Sequence, residues 1–309
     1  MISFENVNKF ILSDVSIHIP EGVTLGLIGA TGSGKTTFIK LCCGLLEPDK
    51  PTKNSGGVYV MGHEPVSMLG RRDNDMGVLF VHLPMLKADE TVKENFQSLR
   101  VIYRLDNKCG IKKSFISLYE RLSKELGFAD FQNAKVSSLS LGQRRRAELG
   151  AVLIHNPSLL LLDEPTIGLD QSGKETVRRL IKERAGAGLT TIVTSHDMAD
   201  ISEVCDRICI LDKGRICYYG SREVLFKKYA PVDVMYLTLQ EKIPDMEDLP
   251  VISYSIDGDR LKLIYNSNHI SSADILKAIL PKCPVKEVSM HKPNLADVIM
   301  KIERGIADE

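Results

Sequence analysis

Net charge is the first thing this 309-residue sequence lacks, because forty basic residues balance forty acidic ones. A chain without a net field has no global attraction to nucleic acid or to an anionic membrane surface. No nucleic-acid partner is expected, and partner choice rests on local features. Long apolar runs are missing as well. No uninterrupted stretch approaches the roughly 18 residues that span a bilayer, and the start, Met1-Ile2-Ser3-Phe4-Glu5, has neither the basic nor the apolar region of a signal peptide. The expected location is therefore the cytoplasm. Paired cysteines are the third absence: seven cysteines are scattered without a C-x-x-C motif. An odd, dispersed set argues against a secreted disulfide framework and for reduced, structural thiols. Cys42 and Cys43 adjoin on an expected helix, and the spacing of Cys205 and Cys209 suits one face of a helix or strand.

What is present is 43% apolar residues over a length that suits about two domains, enough to bury a sizeable core. The chain is organised around Gly29-Ala30-Thr31-Gly32-Ser33-Gly34-Lys35-Thr36-Thr37, which has the G-x-x-x-x-G-K-T form of a phosphate-binding loop. An apolar run, Val23 to Ile28, precedes it, and a helix-like run, Thr37 to Cys43, follows. That setting matters: a buried strand ends, glycines turn successive N–H groups toward an anion, and the helix dipole points at the same phosphates. Lys35 is then placed for the β/γ-phosphates of a nucleoside triphosphate, and the Thr36 hydroxyl for Mg²⁺.

Before this loop, Ile2 to Ile19 reads as strand, with alternation in Val15-Ser16-Ile17-His18-Ile19 and a turn at Pro20-Glu21-Gly22. Phe10 falls in the polar break between the strands. It is either a stacking platform for an adenine ring or a core residue. After the loop, Pro48 to Gly57 reads as a connection, followed by short strands through Val60 and at Val78-Leu79-Phe80-Val81. Thr91-Val92-Lys93-Glu94 is a capping box ahead of a helix with Val92, Phe96, Leu99 and Tyr103 on one face. A second helix is expected from Ser114 to Leu126, stopped by Gly127. This block, about residues 83–156, interrupts an α/β pattern and reads as an inserted helical subdomain.

Ser140 and Gln143 have capping-box spacing at the next helix start, where a serine and the nearby Gly142 also make a second anion site. For Arg144, Arg145 and Arg146 the expectation is a solvated face. Leu159-Leu160-Leu161-Leu162-Asp163-Glu164 is a central parallel strand ending in two carboxylates, with Asp163 placed for the Mg²⁺ shell and Glu164 for polarising an attacking water. A β-branched strand, Thr190 to Thr194, delivers Ser195 and His196 to the same sheet edge, where His196 suits a γ-phosphate sensor. The first module ends near Gly220. Residues 221–309 then read as a small α+β domain: a strand near Val234 to Leu239, a hairpin around Asp257-Gly258, a helix from Ser271 to Leu280, a strand near Val285 to Ser289 and a closing helix from Asn294 to Ile302.

Taken in order, Gly29 to Thr36, Leu139-Ser140-Leu141-Gly142-Gln143, Leu159 to Glu164, Gly168-Leu169-Asp170 and His196 resemble the ATP-binding subunit of ABC transporters over residues 1 to about 220. The leucine in Leu-Ser-Leu-Gly-Gln and the run from Leu161 to Asp170 are similar to the ABC-2 type exporters and the daunorubicin-resistance ATPases, which also carry a C-terminal extension. The resemblance implies an α/β P-loop NTPase fold, with a RecA-like core and antiparallel β and helical subdomains, followed by the small C-terminal domain as an accessory or regulatory part. It implies ATP and Mg²⁺ as ligands and a head-to-tail pair of ATP-binding domains, a homodimer or a heterodimer. In that pair Ser140, Gly142, Gln143 and Asp170 face the nucleotide of the other copy. The pair would drive an integral membrane permease from the cytoplasmic face of the cell membrane. One departure is His82, which stands where the family has a glutamine that reaches Mg²⁺. The competing classes are a soluble nucleotide-dependent switch, whose members carry two such modules or a coiled-coil insertion that this chain lacks, and a module that binds ATP but barely hydrolyses it.

Overall fold

The computed structural model describes residues 1–49, 56–69, 75–105, 111–229, 232–240, 251–266, 269–281, 283–291 and 295. The chain forms two compact units, Met1–Gly220 and Ser221–Glu309.

The first unit opens with an antiparallel hairpin of β1 (Ile2–Lys9) and β2 (Leu12–Ile19). The period-2 pattern of β2 buries Leu12, Val15, Ile17 and Ile19 and leaves Ser16 and His18 outside. After β3 (Thr24–Ile28) and α1 (Lys35–Cys42), β4 (Val58–Val60) joins the hairpin to give a three-stranded sheet in the order β2-β1-β4. Phe4 of β1 stacks on Phe38 of α1 with ring centroids 4.2 Å apart and planes within 1°. Both rings are fully buried, each contributing on the order of 1.5–3 kcal/mol. That contact pins the helix behind the glycine-rich loop to the antiparallel sheet. The helix begins at Lys35, two residues ahead of the expected Thr37, so the loop's lysine and both threonines lie in its first turn.

A short α2 (Pro65–Met68) and β5 (Met76–Leu79) lead into the helical block of α3 (Val92–Ile102), α4 (Ile111–Glu125) and α5 (Leu141–Leu153). Thr91 and Glu94 form the expected reciprocal cap on α3, and Val92 and Phe96 point inward. Leu99 and Tyr103 are only half-buried. Phe115, Leu122 and Leu126 are buried along the second helix, which starts three residues early, and Gly127 ends it in the left-handed region at φ +68°. The rings of Phe96, Tyr119 and Phe128 form the centre of the block.

The chain then returns through β6 (Leu159–Asp163), α6 (Gln171–Gly186), β7 (Thr190–Thr194), α7 (Met198–Val204), β8 (Arg207–Asp212) and β9 (Arg215–Ser221). A six-stranded sheet results, in the order β5-β6-β7-β3-β8-β9, with parallel pairing from β5 through β8. Every residue of β3, β6 and β7 is buried, as strands covered on both faces require. The C-terminal ends of these three neighbours therefore meet at one edge. Cys205 follows α7 and Cys209 lies in β8, so these cysteines occupy two elements rather than one face; the six described cysteines are free thiols and all but Cys217 are buried.

The second unit has α8 (Arg222–Tyr229), β10 (Val232–Leu239), β11 (Ser253–Asp257), β12 (Arg260–Asn266), α9 (Ser272–Ile279) and β13 (Val285–His291). Its sheet is antiparallel in the order β11-β12-β10-β13, with Ile275 and Ile279 of α9 in one cluster with Met235, Leu237, Leu261, Leu263 and Tyr265. The expected closing helix, Asn294 to Ile302, falls outside the described residues apart from a buried Leu295. Most of the expected Pro48 to Gly57 connection does so too. Among the described residues no helix is long and apolar enough to cross a membrane.

Candidate functional site

The glycine-rich loop takes its shape from two glycines that no other residue replaces. Gly29 has φ +154° and a Cβ there would overlap the Leu211 carbonyl oxygen, while Gly34 has φ +112° and its Cβ would run into the Leu12 side chain. Lys35 folds back into this loop, donating from Nζ to the Gly29 carbonyl at 2.6 Å and the Ala30 carbonyl at 3.0 Å. The Ser33 hydroxyl is buried without a protein hydrogen-bond partner, an unmet polar atom of the kind an anion satisfies. Thr31, Gly32, Gly34, Lys35, Thr36 and Thr37 line a cavity of about 340 Å³.

The opposite wall is the end of β6 and β7. Thr36 Oγ1 donates to Asp163 Oδ2 at 3.0 Å, and Thr194 Oγ1 donates to Asp163 Oδ1 at 2.7 Å. The same Thr194 oxygen accepts the Glu164 N–H at 2.9 Å. Glu164 sits at φ +50°, a left-handed conformation that costs a non-glycine residue about 1–3 kcal/mol and that clusters at functional sites. Its Oε2 accepts the His196 backbone N–H at 3.2 Å, and its Oε1 lies 3.3 Å from His196 Nε2. The Glu164 side chain is 13% exposed and the His196 ring 58% exposed, so the carboxylate is enclosed and the imidazole reaches outward. A hydroxyl and a carboxylate oxygen in contact are hard donors that suit Mg²⁺. Among the described residues no group of three or more His, Cys, Asp and Glu converges.

His82 also lines the cavity, from the segment just after β5. Phe10 does not line it, and it is not a core residue either: at φ +52° it is 76% exposed at the tip of the first hairpin, with Lys9 Nζ 5.1 Å from its ring centroid. Its neighbour Ile11 takes the place at the cavity wall. Ser140, Gly142, Gln143 and Asp170 lie outside this cavity. Ser140 caps α5, with Gln143 N–H donating to Ser140 Oγ at 3.2 Å and Ser140 N–H to Gln143 Oε1 at 3.0 Å. Gly142 packs so closely on the Gly168 carbonyl that a Cβ would stand 2.7 Å from it. Asp170 caps α6 through the Gly173 N–H at 3.0 Å and pairs with Arg146. The cap and that guanidinium hold its carboxyl below the usual range.

The arginine run corrects the sequence expectation. Arg145 is 3% exposed, and its guanidinium donates from Nη1 to the Phe80 carbonyl at 2.9 Å and from Nη2 to the Asp163 and Glu164 carbonyls at 3.0 and 2.7 Å. Burial pushes its pKa down, while the nearby Glu148 carboxylate, 3.5 Å away, favours the charge. The physical reason is the setting of α5: Ala147, Leu149, Gly150, Ala151 and Val152 are buried along it, so the helix has little solvated face to offer a cation. A triplet of like charges on a helix gives no signal that its middle member turns inward.

The sequence model of the family described as ABC transporter matches residues 12–167. The ABC transporter ATP-binding protein NatA of Bacillus subtilis is 31% identical over 78% of this chain and 94% of its own length. The Nod factor export ATP-binding protein I of Burkholderia lata is 28% identical over 97% of this chain and 96% of its own. The methionine import ATP-binding protein MetN of Clostridioides difficile is 32% identical over 73% and 70%. Among solved structures, a dimeric ATP-binding cassette in a post-hydrolysis state, bound to ADP and Pi, superposes with a TM-score of 0.60 at 26% identity, over 72% of this chain and 98% of that one. The fold is that of a P-loop NTPase of the cassette type, and with a family match over half the sequence and a relative covered almost end to end, this chain belongs to the ABC transporter family as an ATP-hydrolysing, ATP-binding subunit.

Proposed function

We propose that this chain powers export through a separate membrane-spanning permease of the ABC-2 type, to which it docks at the cytoplasmic face. The observation that carries export is that the Nod factor export protein of Burkholderia lata aligns over 97% of the chain, second unit included. The second unit serves as an accessory or regulatory domain.

In this reading Lys35 leaves the Gly29 and Ala30 carbonyls for the β/γ-phosphates of ATP, which the N–H groups from Gly29 to Thr37 surround. Thr36 and Asp163 would hold Mg²⁺, which would neutralise charge on the phosphate oxygens. His82 offers an imidazole nitrogen to that shell. Glu164 orients and polarises the attacking water, and His196, beside it, meets the γ-phosphate. Phe10, exposed at the hairpin tip, would supply a flat ring for adenine to stack on. Ser140, Gly142, Gln143 and Asp170 serve the nucleotide of a second ATP-binding domain in a head-to-tail pair, which accounts for their positions outside the chain's own cavity, Ser140 and Asp170 exposed and Gly142 and Gln143 half-buried.

Purification from membranes tests the reading. A co-purifying integral membrane protein that raises ATP turnover on reconstitution is the expected result. Recovery free of any integral protein, with full turnover in solution, would favour the nucleotide-dependent switch instead.

A further inference from the structure

Arg145 and Glu148 belong to α5, yet almost every group they touch lies elsewhere. Arg145 spans three carbonyls on two strand ends: Phe80, just after β5, and Asp163 and Glu164 at the end of β6. Glu148 stands 3.5 Å from the same guanidinium, whose charge it balances. The pair thus grips the segment that carries His82 at its Phe80 end. It also grips the peptide that follows Glu164, whose φ of +50° is not a conformation glutamate adopts unaided. Side-chain exposures of 3% and 8% put the pair out of water, where a guanidinium fork holds several acceptors in fixed directions and a lysine would not.

We propose that Arg145 is a positioning residue for hydrolysis: with Glu148 it makes α5 a rigid coupler that fixes the Glu164 carboxylate and the His82 segment relative to one another. The same helix begins at Ser140 and Gly142, so displacement of that end moves the two strand ends it grips. The inference rests on the reading of Glu164 as the water-orienting carboxylate. It concerns kcat rather than ATP binding, because none of the protein groups that Arg145 touches belongs to the Gly29–Thr37 loop.

The test is steady-state ATPase kinetics on the full chain, separated into kcat and KM. Arg145→Lys keeps the charge and loses the fork; Arg145→Gln with Glu148→Gln removes both buried charges together, so that neither is stranded. Glu164→Gln is the reference. We expect kcat to fall about tenfold or more in both variants while KM for ATP stays within about twofold, the signature of a displaced reacting group. Arg145→Lys, with part of the reach, should lose less than the paired variant. Wild-type kcat in either folded variant overturns the proposal, as does a loss carried wholly by KM. A wild-type rate in Glu164→Gln would instead remove the reading beneath it, whereas a stalled Glu164→Gln beside a fully active Arg145→Lys removes the coupler alone.

Discussion

Thr194 and Asp163 are joined by a 2.7 Å hydrogen bond, and the oxygen that donates it also receives the N–H of Glu164. One buried hydroxyl on β7 therefore holds both the Asp163 carboxylate and the Glu164 backbone at the end of β6.

Thr194→Val keeps the shape of that side chain and removes both bonds, stranding the Glu164 N–H and one Asp163 oxygen. The expected cost is about 1–3 kcal/mol of stability, read from urea unfolding, together with a fall in kcat of about tenfold or more. Unfolding and turnover that both match the wild type would show that Thr194 is not holding the pair.

Lys35→Ala removes the lysine that the loop holds against its own carbonyls. ATP affinity, measured by titration calorimetry, is expected to fall about a hundredfold or more, since the β/γ charge loses its compensation in a partly dry site. Unaltered affinity would sink the assignment of the loop.

His82→Gln is expected to preserve turnover near neutrality, because an amide oxygen accepts or ligates as a neutral imidazole nitrogen does. His82→Ala should lose it. Full turnover in His82→Ala would exclude the contact.

His155 makes stability depend on pH. Its ring stacks on Tyr103 at 4.1 Å, its Nε2 lies 3.2 Å from the Met76 carbonyl oxygen, and burial pushes its pKa below the ordinary value of 6.5. The unfolded chain therefore takes up a proton that the folded chain resists. The stabilising contribution is complete above about pH 6.5 and is lost as pH falls through the lower folded value. His155→Phe keeps the stack and should flatten the decline in unfolding midpoint between neutral and mildly acidic pH. Parallel declines in the two proteins would exonerate His155.

Much of this arrangement is legible in the residues because local chemistry dictates it. Leu159 to Asp163 is too apolar for an edge strand, Thr91 with Glu94 and Ser140 with Gln143 define helix starts, and the loop from Gly29 admits few conformations. Other features depend on neighbours distant in sequence. Arg145 reads as surface until β5 and β6 supply carbonyls for it, and Phe10 reads as an equal choice between core and ligand until the hairpin register places it at the tip. Cys205 and Cys209 look like one face until the chain turns from α7 into β8 between them.

The order of strands in the six-stranded sheet also sets a schedule for synthesis. Wholly buried in the finished protein, β3 pairs among the described residues with β7 and β8 alone. Its first sheet partner emerges about 160 residues after it does. At about 5–20 residues per second on the ribosome that is a wait of roughly 8–30 s. Throughout that interval the apolar strand leading into the glycine-rich loop has no sheet edge to join. The nucleotide cavity closes only once Thr194 and His196 have left the exit tunnel, making ATP a ligand of the nearly finished first unit and not of its early fragments.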